Sequence, residues 1–235
     1  MNFVLITTFG ILGMALLAGA FIYLAVLGAS GWRKQLETVL LPLGFRYCES
    51  KQDKADLARQ LTVANPRHRG GRLVMHAFRR SSAQDDYEIY VCDYRFASAS
   101  GRARGAQWIL VCLISRHLAL PWCSLESVPD ESGLGARLFR GLSDTFAIPG
   151  LVKVATDDPA MRSLLVYTVD GRPNLPAGVS ELLKDAKGTC LDAKGQVLIL
   201  SNLAMTADRV RNVLDPQKLL GQMHLAGQLH AVLRL

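Results

Sequence analysis

The sequence predicts an α+β protein: one N-terminal transmembrane helix, followed by a soluble domain with an antiparallel β-meander and a helix-rich C-terminal half. Three observations support this fold class. Residues 1–32 contain no Asp, Glu, Lys, Arg or His. Residues 73–128 show one strand pattern after another, and residues 175–233 are dominated by helical spacing of apolar side chains.

The apolar N-terminal segment is long enough to cross a bilayer. Residues 3–28 are almost wholly apolar, and as a helix they span about 39 Å, which exceeds the hydrocarbon core. The alternative is a secretory signal peptide, whose apolar region is shorter and normally follows Lys or Arg. Only Met1 and Asn2 precede this one. We therefore expect an uncleaved, single-pass anchor.

The positive charge of the chain is concentrated directly after this segment. Residues 33–80 contain 11 Lys or Arg against 4 Asp or Glu, whereas residues 81–235 contain 16 of each. Because Lys and Arg beside a spanning segment stay on the cytoplasmic side, the excess predicts an outside N-terminus and a cytoplasmic body. The predicted domains are a transmembrane helix at 3–28, a basic juxtamembrane helical segment at 29–71, and a cytoplasmic α+β domain at 72–235, with a subdivision near 133–150 left open.

The elements of the first half follow from apolar spacing and from Pro and Gly. Two short helices are predicted before Gly71, and the strands after it have short connections, which implies an antiparallel meander. The predicted helices cover residues 34–41 and 54–63, and the predicted strands cover residues 73–78, 87–96, 107–115 and 121–127.

The second half has more helical patterns. Asp158 and Pro159 indicate a helix start, with Leu164 and Leu165 facing inward. Asp215 and Pro216 indicate another start. The remaining predictions are a strand at 152–155, helices at 175–187, 206–214 and 216–233, and a hairpin formed by residues 189–191 and 196–200.

Catalytic and metal-binding patterns are weak. The chain has no C-x-x-C, H-E-x-x-H, EF-hand, Walker or G-x-S-x-G motif, so we predict no metal and no cofactor. His117 and Cys123 could meet as an imidazole–thiolate pair, but a strand-end His and a buried thiol are favoured. His230 lies on the apolar side of its helix and is predicted to be a hydrogen-bonded core residue. The five scattered cysteines indicate buried thiols in a reducing compartment.

Basic residues beside the predicted anchor and in two Gly-containing loops form the candidate site. Such residues bind phosphates of lipid or nucleic acid electrostatically, although solvated turn residues are the simpler interpretation. Specific nucleic-acid reading is disfavoured because aromatic residues do not alternate with the arginines. The predicted anionic-surface residues are Arg33, Lys34, Arg67, Arg69, Arg72, Arg102 and Arg104.

Four short motifs resemble those of a group of uncharacterised bacterial membrane-anchored proteins. They are Asp93-Tyr-Arg-Phe96, Leu120-Pro-Trp-Cys-Ser-Leu125, Asp157-Asp-Pro159 with Arg162 and Leu164-Leu165, and Gly195-Gln-Val-Leu198. The resemblance implies a bacterial inner-membrane protein and brings no catalytic residues with it.

The expected function is a binding or scaffold domain that faces membrane lipid and a protein partner of unknown identity. The alternatives are a membrane-tethered hydrolase with an unrecognised site, and a binder of anionic lipid or nucleic acid through the basic loops. Homo-oligomerisation through Ala15 and Gly19 is also left open.

Overall fold

The computed structural model describes residues 31–64, 72–82, 86–96, 107–127, 150–154, 164–172 and 176–234. The helices in these ranges are α1 (residues 31–40), α2 (Lys51–Ala64), α3 (Ala177–Lys184), α4 (Leu203–Val210) and α5 (Pro216–Leu233), with a 3-10 turn at Leu41–Leu43. The strands are β1 (Arg46–Tyr47), β2 (Arg72–Ser82), β3 (Tyr87–Phe96), β4 (Gln107–Ser115), β5 (Leu120–Ser127), β6 (Val152–Lys153), β7 (Leu164–Thr168), β8 (Thr189–Gly195) and β9 (Val197–Asn202).

The described strands form a single antiparallel sheet. Its nine strands lie in the order β1-β2-β3-β4-β9-β8-β5-β7-β6. β2, β3 and β4 are the first three strands of the predicted meander, but its fourth strand, β5, does not lie beside β4. β8 and β9 form the predicted hairpin, which lies in the middle of the sheet, so strands from the second half of the sequence complete the sheet begun by the first half.

This topology corrects the predicted fold class. β4 and β5 are consecutive in the chain, yet Val111 of β4 pairs with Leu200 of β9, and Leu125 of β5 pairs with Leu191 of β8. β8 and β9 are buried on both faces over most of their length. Strands of this kind are stable only in the interior of a covered sheet. The prediction of a strand-rich half followed by a helix-rich half was therefore wrong.

The predicted transmembrane, single-pass architecture is also corrected. Within the ranges that the structure describes, no helix is long and apolar enough to cross a membrane. The segment on which that prediction rested, residues 3–28, lies outside those ranges. The described chain is thus a sheet with helices packed on it, and the transmembrane helix is not part of the fold as described.

Helices cover both faces of the sheet. Ile89 and Val91 of β3 face a core shared with α1, α3 and α5. The alternate residues Cys92 and Tyr94 face a second core under α2. Trp32 of α1 is fully buried in the first core, so residues 31–64 pack on the same sheet as the rest of the described chain.

One predicted helix proved to be a strand. Leu164 and Leu165, expected on the inner side of a helix, belong to β7, where Leu165 pairs with Glu126 of β5. Two adjacent leucines are compatible with a helix or with a strand that is buried on both faces. Here they form a strand because their backbone pairs with β5. The predicted start at Asp158 and Pro159 lies outside the described residues.

Candidate anionic-surface site at the basic end of the sheet

The strand register joins two arginine-bearing segments to one end of the sheet. Arg72, the first residue of β2, lies opposite Phe96, the last residue of β3. Gln107 begins β4 at the same end. Residues 65–71 lead into β2, and residues 97–106 connect β3 to β4. Both segments are therefore attached to the end of the sheet where β2 and β4 begin and β3 ends. We call this end of the sheet the basic end.

A buried ion pair holds the first turn of α1 against the sheet. Arg209 of α4 donates from its Nη2 to Asp93 Oδ2 at 2.9 Å and from its Nε at 3.3 Å. Asp93 is fully buried, and Arg209 is 8% exposed. The guanidinium carbon of Arg209 also lies 4.6 Å from the centroid of the Trp32 ring. Trp32 is thereby positioned beside Asp93, which pairs with His76 of β2.

The direction of α1 brings its N-terminus toward the basic end. Its first turn, at Trp32, lies near the Asp93–His76 pair of the sheet. Beyond its last turn, the carbonyl of Leu43 accepts a hydrogen bond from Arg80 Nη1 at 3.3 Å. α1 therefore runs from His76 toward Arg80, away from Arg72. Arg72 lies four positions before His76 in β2, a distance of about 13 Å along the strand.

Two cations flank one tyrosine near this N-terminus. The guanidinium carbon of Arg33 lies 4.0 Å from the centroid of the Tyr47 ring, and Lys54 Nζ lies 4.7 Å from it. Lys54 Nζ also donates to Tyr47 Oη at 3.0 Å, and that oxygen lies 3.2 Å from His76 Nδ1. A hydrogen bond to Glu37 is the main cause of a raised pKa for Arg33. Burial lowers the pKa of His76.

The structure gives a position to only part of the predicted site. Arg33 is bound to Glu37 and Tyr47, and Lys34 is exposed on the same helix. Arg72 has a defined backbone as the first residue of β2. The predicted residues that lie outside the described ranges are Arg67, Arg69, Arg102 and Arg104.

The sequence interpretation missed the most deeply buried charged residues near this end. Asp93 was recognised only as part of a strand, and Arg209 only as part of a helix. The available signal was a carboxylate in a strand whose neighbours are apolar, because a buried charge needs a partner. No local pattern links Asp93 to Arg209, since 116 positions separate them.

The structure separates the two residues of the suggested imidazole–thiolate pair. His117 is half-exposed, and its Nε2 lies 2.9 Å from Asp86 Oδ2. Cys123 is buried in the first core, where desolvation raises its pKa to about 12. A thiol in that environment stays protonated and cannot act as a nucleophile. Within the described ranges there is also no group of three or more potential metal ligands.

No family model matches the chain, and no curated protein matches it by sequence. Among solved structures, it is similar to the crystal structure of the mycobacterial trehalose monomycolate transport factor A, TtfA, with a TM-score of 0.53 and 10% sequence identity. The match covers 87% of this chain and 95% of that chain. At this level of identity, the likeness establishes a shared fold.

Proposed function

We propose that the chain is a binding domain whose basic end rests on an anionic lipid surface, on the cytoplasmic side of a bacterial inner membrane. It acts there as an accessory or scaffold component beside a protein partner. The basic end supplies the lipid contact, through Lys34 of α1 and the arginines of residues 65–71 and 97–106.

The observation that carries this proposal is the convergence of chain segments at one end of the sheet. The β2, β3 and β4 register attaches both arginine-bearing segments there, and α1 begins on the same side. A cation close to an anionic membrane contributes about 1 kcal/mol of binding free energy. The contributions of several cations to the binding free energy add up, because their segments are attached to the same end of one sheet.

The similar fold gives independent support. The name of the mycobacterial protein assigns it to the transport of trehalose monomycolate, which is a lipid. A role beside a membrane lipid fits a domain with a basic end, and burial keeps the thiol of Cys123, the nucleophile considered for the hydrolase alternative, protonated.

Vesicle binding of the full-length chain tests the proposal. The substitutions Arg67→Gln, Arg69→Gln, Arg102→Gln and Arg104→Gln are combined in one variant. We expect the wild-type protein to bind phosphatidylglycerol-containing vesicles more tightly than phosphatidylcholine vesicles. The variant should lose about fivefold of that preference for each neutralised cation that reaches the surface, measured by co-sedimentation.

A charge-matched variant provides the control. Arg46, Arg116, Arg172 and Arg234 are exposed and lie toward the other end of the sheet, where Arg46 pairs with Arg79 and His230 contacts Ser115, so their replacement by Gln should leave the preference close to that of the wild type. An equal loss in both variants would show that only net charge matters. That result, or the absence of any preference in the wild type, would contradict the proposal.

A further inference from the structure

One histidine of the sheet lies between two different hydrogen-bonding neighbours. His76 of β2 is partly buried, and its Nδ1 lies 3.2 Å from Tyr47 Oη of β1. Across the sheet, His76 is paired with Asp93 of β3. Side chains of directly opposite residues share one face of a sheet, with Cβ atoms about 5 Å apart. His76 therefore lies between a hydroxyl on one neighbouring strand and a carboxylate on the other.

The contacts of Tyr47 show which form of His76 the structure contains. Lys54 Nζ donates to Tyr47 Oη at 3.0 Å, and an ammonium group can only donate. The hydroxyl proton of Tyr47 is thus available to a further acceptor, and His76 Nδ1 is within reach. Nδ1 accepts this proton only while it carries none itself. The network therefore assigns a neutral His76 with its own proton on Nε2.

Asp93 offers a partner to the protonated form of His76. Its Oδ2 accepts two hydrogen bonds from Arg209, whereas its Oδ1 has no partner among the described residues. Asp93 is fully buried, and buried polar atoms are nearly always hydrogen-bonded. A protonated imidazole donates from both of its nitrogens. It can pair with Asp93 Oδ1 through its charge as well as through a hydrogen bond.

A β-bulge lies directly beside His76. Val74 and His76 pair with consecutive residues of β3, so Met75 between them has no partner in that strand. Regular alternation would place Val74 on the same face as His76, but Val74 packs against the second core. Bulges interrupt the ladder of hydrogen bonds and change the direction of the side chains beside them. The backbone is thus irregular at the position where the imidazole has to turn.

Charged groups from several elements act on His76. Burial is the main cause that lowers its pKa, three cations lower the pKa further, and one carboxylate raises it. Among the described residues, that carboxylate is the group that favours the protonated imidazole. The groups that face His76 are Tyr47 of β1, Asp93 of β3, Arg33 of α1, Lys54 of α2 and Arg209 of α4.

We propose that His76 is a pH-sensitive switch with two positions. Neutral His76 accepts a hydrogen bond from Tyr47, whose ring also contacts Lys54 and Arg33. Protonated His76 turns to Asp93 and releases Tyr47, because Lys54 and Arg33 repel a third cation. Acid therefore loosens β1 and its contacts with the first turns of α1 and α2. The switch uses contacts within the fold, so it stands independently of the proposed lipid contact.

The experiment is an NMR titration of the full-length protein between pH 5 and pH 8. The signals are the imidazole of His76 and the ring of Tyr47, assigned by their disappearance in His76→Gln and Tyr47→Phe. In the wild type, we expect both signals to shift with one midpoint, below the ordinary histidine value of 6.5. In His76→Gln, the Tyr47 ring should not shift in this range.

Two variants test the two positions separately. Tyr47→Phe removes the partner of neutral His76, so the midpoint of His76 should rise. Asp93→Leu with Arg209→Met removes the partner of protonated His76 without leaving a buried charge. Its midpoint should fall, because Asp93 influences the pKa of His76 more than Arg209 does. The control is Tyr87→Phe, since Tyr87 contacts a different histidine and its replacement should leave the midpoint unchanged.

Hydrogen exchange measures the loosening of β1. The amide of Cys48, directly after β1, donates to the carbonyl of Ala77 at 2.9 Å. Its protection, corrected for the intrinsic effect of pH on exchange, should fall about fivefold below the His76 midpoint, the equivalent of one lost hydrogen bond. It should stay constant in His76→Gln. The amide of Ser115, which donates to the carbonyl of Gln196 at 3.0 Å, should keep its protection in both proteins.

Three results would overturn the proposal. The first is a His76 midpoint that is unchanged or lower in Tyr47→Phe. The second is a shift of the Tyr47 ring in His76→Gln equal to that in the wild type. The third is an equal loss of Cys48 protection in both proteins, which would show that acid loosens β1 without His76.

Discussion

At the scale of single residues, the Asp93–Arg209 pair connects three elements. It links β3 to α4, and Arg209 lies over the Trp32 ring of α1. Asp93 Oδ1 has no hydrogen-bond partner among the described residues, so Arg209 supplies the main compensation for the carboxylate. A buried carboxylate that loses such a partner is strongly destabilising.

We predict that Arg209→Met lowers the free energy of unfolding by about 3–5 kcal/mol, because Asp93 is left buried and unpaired. Urea unfolding measures the change. The double variant Asp93→Leu with Arg209→Met removes both charges and should be more stable than the single variant. A double variant that is less stable than Arg209→Met would contradict this explanation.

A second residue-scale prediction concerns His76. Burial is the main cause that lowers its pKa below the ordinary value of 6.5. The negative charge of Asp93 raises this pKa, whereas the positive charges of Lys54, Arg33 and Arg209 lower it further. Below about pH 6.5 the unfolded chain then binds more protons than the folded protein, so stability falls as the pH is lowered. Well above that pH, His76 is neutral in both the folded and the unfolded protein, so it no longer makes stability depend on pH.

The test compares the wild type with His76→Gln, which retains a hydrogen-bonding group for Tyr47. Urea unfolding between about pH 5 and pH 7 should show a smaller loss of stability at low pH in the variant. Equal pH dependence in both proteins would show that His76 does not titrate differently on folding.

Single residues could be predicted when a local pattern defined their surroundings. His230 was expected to be a hydrogen-bonded core residue, and this is confirmed: it is 3% exposed, with its Nε2 3.0 Å from Ser115 Oγ. The hydrogen bond from Gln222 Nε2 to Thr189 Oγ1, at 2.9 Å, could not be predicted, because Thr189 belongs to a strand 33 positions away in the sequence.

At the scale of elements, caps explain which helix starts were predicted. Asp215 accepts hydrogen bonds from the backbone N–H groups of Gln217 and Lys218, as its position before Pro216 indicated. α4 begins three residues before its predicted start, since its cap is Asn202, the last residue of β9. A helix that follows a strand without a loop offers no separate boundary signal.

We predict that Asn202→Ala destabilises the protein more than Asp215→Ala. Loss of a cap costs about 1 kcal/mol in each case. Asn202 additionally donates to Thr189 Oγ1 and the Lys187 carbonyl, so its loss should cost about 1 kcal/mol more. Thermal or urea unfolding measures both. An equal cost would show that the hydrogen bonds from Asn202 to Thr189 and Lys187 add no stability.

At the scale of the whole molecule, the order of strands depends on contacts that are distant in the sequence. Apolar runs bounded by turn residues predicted β3 and β4 with their observed bounds, because each strand carries its own pattern. The insertion of β9 and β8 between β4 and β5 has no local signature. β8 and β9 are apolar on both faces, so they are stable only inside a sheet whose two faces are covered. That cover exists only once the whole sheet has assembled.

This topology predicts a graded pattern of hydrogen exchange. The backbone amides of β4, β9 and β8 lie inside the sheet and should exchange most slowly, through global unfolding. Those of β1 and β6 belong to two-residue strands at the sheet edges and should exchange through local opening. Mass spectrometry of exchanged peptides measures both groups. Fastest exchange in β9 would contradict the sheet order.

If the proposal is correct, the basic end is the part of the molecule that meets an anionic surface. Nitroxide labels at Lys34→Cys and at Arg116→Cys distinguish the two ends of the sheet, in a Cys48→Ser background that removes the half-buried native thiol. Arg116 directly follows the end of β4, about 30 Å along that strand from the basic end.

Collision of each label with a water-soluble relaxation agent is measured by electron paramagnetic resonance before and after phosphatidylglycerol-containing vesicles are added. We expect vesicles to shield the label at residue 34 and to leave the label at residue 116 accessible. Equal shielding at both positions, or shielding at residue 116 alone, would contradict it.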